Sequence, residues 1–488
     1  MWSGTFRVVI ERFMVWVMFE EEAIMRIAKF RSFIFHAVLA GGFCAIFVGS
    51  AAAQVVTISF QNGVNGYTGT FDRMISERDE HNVNGSEVVN DFLDGYQTDT
   101  SPDEQALMRF DDIFGDDPGQ IPSGATILSA ELVLTTSLVG NAQTGGPYGV
   151  AGMLQPFDST TTYFGDFTST TNLVSRGAWW QDGSATRPVG GYGYEDQGET
   201  DGANVTSVVQ SWADGAPNYG LVVQAGLPDV INEVANSTDG WSIRTTGYPL
   251  SDTRPKLQVT YTTVPVTKNT FQDGTGDYAG TTMAIVRSGT NALIEDTGDL
   301  NRPEMTEGGA MLNQTYLDGV LFTDSAGNTS SPDDLALLKF ENVFGMEPGQ
   351  VPTDVPVAKA WVVITTGDTN VNARTNGSYS AHTMLRPWDL TTLHSSFGAV
   401  NGLQIGDGDI SPALDSPEGF IRGAEVWFDV TEYLEGVRTG AADYGVAIQA
   451  NGTGDGWMIH TNGSTTPQAR PRLVVYSADL GVEEASDN

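Results

Sequence analysis

Across 488 residues the chain sets 24 Lys and Arg against 61 Asp and Glu, a formal net charge of -37. That balance repels phosphate backbones and disfavours nucleic acid as a partner. A single cysteine, Cys44, rules out a disulfide framework and a thiolate zinc site, while 57 Gly among abundant Thr, Ser, Asn and Asp predicts an all-β chain of short strands and tight turns.

The first 53 residues read as a leader. Met25 to Arg31 is a basic opening, Phe33 to Val48 an apolar run, and Ser50-Ala-Ala-Ala53 a small-residue cleavage site before Gln54. This is the pattern of a secretory signal peptide. It predicts an extracellular protein with no membrane segment after cleavage, and residues 1–24 read as an upstream extension of the reading frame. Cys44 lies within the leader, so the mature chain is expected to lack cysteine.

Beyond the leader the chain repeats itself. Ser101 to Thr136 and Ser331 to Thr366 align without a gap and share 16 of 36 residues. Four further blocks recur in the same order. FQNGVNGYTGT from Phe60 returns from Phe271, MLQPFDSTT from Met153 returns from Met384, Asn204 to Gly226 returns as Asp429 to Asn451, and DGW with the Arg-Pro strand closes both units. Such a period fixes the folding units before anything else is read. It predicts modules at 54–263 and 268–477, joined by a short linker at 264–267 and followed by an acidic tail at 478–488.

Within a unit, SAELVLTT alternates Ala130, Leu132 and Leu134 with Glu131 and Val133, as a half-buried antiparallel strand does. Pro118-Gly119 and Pro122-Ser123-Gly124 are turn chemistry. Thr206 is placed to cap a short helix whose Val208, Val209 and Trp212 face one way, with Tyr433, Leu434 and Val437 doing the same later. The expectation is two tandem jelly-roll-type antiparallel β-sandwiches, each with a short capping helix.

Six motifs in this order carry a family likeness. They are Ala106 to Phe110, Ile121 to Ala125, Pro156 to Thr161, Asn204 to Thr206 with Trp212, Asn218 to Gly220, and Arg254 to Leu257. Together they resemble the DNRLRE domain, the disaggregatase-related repeat classed among carbohydrate-binding modules, in two copies. The resemblance implies a secreted jelly-roll module that binds extracellular polysaccharide, including alginate-like uronic-acid polymers, or serves as an accessory domain.

Catalytic signals are absent from the repeated blocks. His81, His382, His394 and His460 have no counterparts in the other unit, and no HExxH or GxSxG motif occurs. Only Asp103/Asp333, Asp158/Asp389 and Asp239/Asp455 recur among the carboxylates, which reads as turn-capping. An enzyme is therefore not expected, although a carboxylate pair for glycoside cleavage is the third reading.

Sugar binding needs exposed aromatic faces with polar groups beside them. Trp179, Trp180, Tyr192 and Tyr194 are the candidate platform, flanked by Arg176 and Arg187. Adjacent tryptophans on a strand point to opposite faces, so one is expected outside. Trp361 replaces Glu131 at an outward strand position and is expected at the contact between units. The scarcity of Arg favours a neutral glycan over a polyanion unless Ca²⁺ bridges. No cofactor is required by this reading, but the acidity admits structural Ca²⁺, with Asp111-Asp112, Asp116-Asp117 and Gly406 to Asp409 as oxygen-rich loops. The alternative to a binding protein is a structural component of an extracellular matrix or cell-surface assembly.

Overall fold

The computed structural model describes residues 55–76, 82–94, 104–160, 162–167, 177–180, 183–225, 240–287, 313–317, 322–323, 329–330, 334–368, 373–392, 394–397, 403–451 and 456–478. The leader at 1–53, Arg176, His81, the acids at 103, 239, 333 and 455, and the tail beyond Ala478 lie outside them.

Before the 264–267 connection the strands are β1 (Val55–Gln61), β2 (Thr70–Ser76), β3 (Val83–Asn84), β4 (Asn90–Leu93), β5 (Glu104–Phe110) and β6 (Thr126–Thr135). They continue with β7 (Tyr148–Gly152), β8 (Gly190–Tyr192), β9 (Thr200–Asn204), helix α1 (Thr206–Ala213), β10 (Leu221–Ala225), β11 (Trp241–Arg244) and β12 (Lys256–Thr262). One antiparallel sheet runs β1-β12-β6-β9, a second runs β3-β2-β5-β10-β7-β8, and β11 pairs with β4.

After the connection come β13 (Thr267–Gln272), β14 (Thr281–Arg287), β15 (Gln314–Leu317), β16 (Phe322–Thr323), β17 (Thr329–Ser330), β18 (Asp334–Phe340) and β19 (Val357–Thr365). Then follow β20 (Thr375–Met384), β21 (Ile410–Asp415), β22 (Glu418–Phe420), β23 (Glu425–Asp429), helix α2 (Thr431–Arg438), β24 (Val446–Ala450), β25 (Trp457–His460) and β26 (Arg472–Ser477). Their sheets run β13-β26-β19-β23 and β14-β18-β24-β20-β21, with β22 also on β20, β15 paired with β25, and β16 with β17. The protein is thus all-β and antiparallel, a sandwich architecture with two short α-helices among the described residues. None of the described helices is long and apolar enough to cross a membrane.

Burial explains why these segments form these sheets. In β6, Ile127, Ala130, Leu132 and Leu134 are buried while Glu131 is exposed. These residues meet Met108, Val150, Leu221 and Val223 of the second sheet in one core. The strands of that second sheet do not alternate: all five residues of β10 are buried. Their reverse face is covered too, with Leu107, Ala151 and Val222 packed under Phe157, Phe167 and Ala178. A strand buried on both faces loses its period of two.

Recurring residues perform matching tasks in the two halves. The indoles of Trp241 and Trp457 are buried and donate to Thr136 and Thr366 at 2.9 and 3.0 Å. Arg254 donates to the carbonyls of Tyr248 and Asn62, and Arg470 to those of Ser464 and Asp273. Gln120 closes its loop by accepting from Asp117 N–H and donating to the Asp112 carbonyl, as Gln350 does with Glu347 and Asn342.

The helix starts differ from the sequence expectation. Val205, not Thr206, is the N-cap of α1, and the first helical N–H, that of Thr206, is satisfied by Asn204 Oδ1 at 2.9 Å, as Asp429 Oδ1 satisfies Thr431 N–H at 2.9 Å. The Thr206 hydroxyl accepts instead from Ala130 N–H at 2.9 Å, and Thr431 does the same with Ala360 at 3.0 Å. The buried threonine ties the helix to a sheet strand, because an unpaired strand N–H inside the core would cost stability.

The halves meet where β8 approaches β22. A Cβ on Gly191 would lie 1.8 Å from the Gly419 carbonyl oxygen and 2.8 Å from that of Tyr148. Gly419, at φ +68°, would place a Cβ 2.0 Å from the Tyr192 carbonyl oxygen. Backbone meets backbone here, and only glycine leaves room. Gly191→Ala is expected to lower unfolding stability by about 3 kcal/mol or more, while Gly140→Ala, with nothing within 4 Å of its Cβ, should change it by no more than ~0.5 kcal/mol. Urea titrations of both variants check this, and equal stabilities would contradict the seam described.

Candidate functional site

Several polar contacts hold the seam. Glu425 N–H donates to the Pro188 carbonyl at 2.8 Å, Asn376 Nδ2 to the Gly145 carbonyl at 2.8 Å, and an Arg187 guanidinium nitrogen to the Gly423 carbonyl at 3.2 Å. The same guanidinium lies 3.7 Å from Asp368 and stacks 4.2 Å from the Trp180 ring centroid. Asp368 also meets the His460 ring at 3.3 Å.

These contacts relocate the residues that the sequence offers as a sugar platform. Trp179 is fully buried and packs with Ile421 and Ala424 of the other half, with Trp180 half-buried beside it. Tyr192 is also fully buried, and its hydroxyl donates to the Leu132 carbonyl at 2.6 Å. In this structure Trp179 and Tyr192 present no face to a ligand. Trp180 is held between Arg187 and the backbone at Gly423, whose Cβ would come 2.8 Å from its ring. Arg187 is used by the seam. Of the proposed residues that are described, Tyr194 alone is widely open, at 58%.

The oxygen-rich loops also have internal partners. Asp111 is gripped by Arg109 through two bonds of 2.6 and 3.0 Å. The buried Asp409 pairs with Arg386 at 2.8 Å. Asp158 and Asp389 each accept from the backbone two residues on, at 2.8 Å, which is the turn role their recurrence suggested.

Beside the seam lies a cleft of about 440 Å³. The first half contributes Ser129, Glu131, Glu195, Glu199, Asp201 and Gly202, and the second contributes Lys359, Trp361, Asp415, Glu418, Trp427 and Asp429. Trp361 and Trp427 meet edge to face at 6.2 Å on the outer side of the β13-β26-β19-β23 sheet. Lys359 covers the Trp361 ring and pairs with Asp429, while Arg472 lies over Trp427 and grips Glu425. Trp361 therefore lines a cleft shared by both halves. Neither indole N–H has a protein partner.

At one place in this cleft three carboxylates converge. Glu195 follows β8, Asp201 lies in β9 and Glu418 opens β22; one oxygen from each lies within 4.8 Å of the others. Burial, with Asp201, Glu418 and further acids adding to it, pushes Glu195 up to about 9. Burial likewise raises Glu418 to about 7, against a hydrogen bond from Gly193 N–H that lowers it, and moves Asp201 upward. These three residues are not repeated between the halves, so comparison of the repeats passes over them. The one sequence sign is the glycine-rich run from Gly190 to Gly193 before Glu195, which marks a close backbone approach.

No family model matches the chain, and no curated protein matches it. Among solved structures, allantoicase from Saccharomyces cerevisiae is similar at 7% identity and a TM-score of 0.15, covering 77% of each chain. A structure of the infectious bursal disease virus Gx strain is similar at 11% identity and a TM-score of 0.11, covering 87% of this chain and 75% of the other. Likenesses this low carry no argument about fold or function.

The seam has its own acid limit. The hydrogen bond from His460 holds the Asp368 carboxyl down at about 2, with Arg187 helping. A depressed carboxylate stabilises the fold above its unfolded value and loses that contribution as pH falls through the folded one. Wild-type stability should therefore fall by about 1 kcal/mol between pH 4 and pH 2 from this group, after discounting for its solvent contact. Asp368→Asn should be destabilised at pH 6 and show a shallower acid limb in urea titrations, and an unchanged limb would contradict the assignment.

Proposed function

We propose that the chain is a secreted, non-catalytic polysaccharide-binding protein that takes a glycan in the cleft between its halves. The observation that carries this reading is the cleft's lining. Carboxylates and backbone groups there can accept from sugar hydroxyls, over a rigid floor that the buried Trp361 and Trp427 help to form. Its volume falls in the range of small-ligand clefts. Tyr194, one residue before Glu195 and open to solvent, supplies a ring on which a pyranose face can stack.

The charge of the lining favours a neutral glycan. A uronic-acid polymer would meet Glu131, Glu195, Glu199, Asp201 and Glu418 with only Lys359 as a basic group in the cleft lining. The repeated blocks carry no HExxH or GxSxG motif and no recurring histidine, which supports binding without catalysis. Secretion rests on the leader.

A glycan array, followed by titration of the positive glycans with tryptophan emission as readout, tests the proposal. Saturable binding of a neutral polysaccharide is expected, with Tyr194→Ala weakening it roughly three- to tenfold, the weight of one aromatic contact. No saturable change with any glycan would favour the structural-component reading, and cleaved products would overturn the non-catalytic one.

A further inference from the structure

We propose that Glu195, Asp201 and Glu418 form a divalent-cation site, best matched to Ca²⁺, which bridges the two halves of the protein at the seam. The proposal is independent of whether the cleft takes a glycan.

Three observations lead to it. First, the three carboxylates come from separate segments, Glu195 and Asp201 from the first half and Glu418 from the second, yet each brings an oxygen within 4.8 Å of the other two. Two oxygens bound to one Ca²⁺ at about 2.4 Å lie at most about 4.8 Å apart, and three oxygens at that limit share a centre about 2.8 Å from each, so one ion reaches all three after shifts of a few tenths of an ångström. Among the described residues no other trio of His, Cys, Asp or Glu side chains is brought together so closely.

Second, Glu195 is only 1% exposed and lines the cleft, and its Oε1 has no hydrogen-bond partner. A buried carboxylate oxygen left unpaired costs stability unless something supplies a charge or a donor. Third, the protein does not supply that charge. The charged groups acting most strongly on Glu195 are Asp201, Glu418, Glu199 and Asp196, all acidic. The one lysine in the lining, Lys359, is already paired with Asp429.

The donor chemistry selects the ion. Three carboxylate oxygens with no thiolate or imidazole among them suit a hard cation, with water completing the shell, and disfavour zinc and copper. Carboxylates delivered by three separate segments favour Ca²⁺, which accepts irregular geometry, over Mg²⁺, which demands a near-ideal octahedron. The competing arrangement is a proton held by Glu195 and donated to Asp201. It would satisfy Glu195 without metal, and the two arrangements predict opposite results.

The decisive experiment is calorimetric titration of CaCl₂ into the full, metal-stripped protein at pH 8, with thermal melts in chelator and in Ca²⁺. Binding of one Ca²⁺ per chain is expected, with a melting temperature several degrees higher in Ca²⁺ than in chelator. Glu195→Gln and Glu418→Gln should each weaken binding on the order of tenfold or more, while Glu195→Gln, which imitates the protonated acid, melts in chelator no lower than wild type. Asp116→Asn should leave binding unchanged. Absence of saturable binding to the wild type would overturn the proposal and leave the shared proton as the explanation. Wild-type Ca²⁺ affinity in both Gln variants, or loss of binding in Asp116→Asn, would overturn it as well.

Discussion

The close passage of two backbones at the seam constrains everything around it. Gly191 and Gly419 let β8 and β22 approach to a distance that a single methyl group would forbid. Each lies in a short, peripheral strand of its sheet, where unpaired backbone groups invite unwanted association. Covering them with each other removes that liability within one chain. It also fixes what surrounds the contact: Trp179 is driven into a pocket against Ile421 and Ala424, and Arg187 is committed to Gly423 and Asp368. The acidic groups of both halves are brought into one cleft.

The seam thus gives the protein two kinds of surface. Inside each half the core is apolar and its recurring pins are satisfied, as with Trp241 on Thr136 and Arg254 on two carbonyls, while the buried Asp91 oxygens lack partners. Between the halves the lining is polar and under-satisfied, with the N–H groups of Trp361 and Trp427 and an oxygen of Glu195 all lacking partners. Unpaired buried groups cost free energy that the sandwich cores can offset.

The sequence made the cores legible and the seam nearly illegible, for a physical reason. Core residues recur between the halves because each half solves the same packing problem, so Phe110 with Phe340 and Trp241 with Trp457 stand out. The alternation of β6 is visible because one of its faces meets a core and the other does not. That of β10 is not, because Phe157 and its neighbours cover the reverse face. The contact between halves joins unlike surfaces, β8 of one to β22 of the other, so nothing in the period marks it. The pair Trp179 and Trp180 was visible as an anomaly, and the anomaly belongs to the interface. Glu195, Asp201 and Glu418 are ordinary acids in an acidic chain until the fold places them together.

If the seam governs the molecule, its two halves should not unfold apart. Differential scanning calorimetry of the protein at neutral pH measures this directly, because the ratio of calorimetric to van't Hoff enthalpy counts cooperative units. One transition with a ratio near one is expected. Two resolved transitions, or a ratio near two, would mean that each half stands alone and that the cleft between them is incidental.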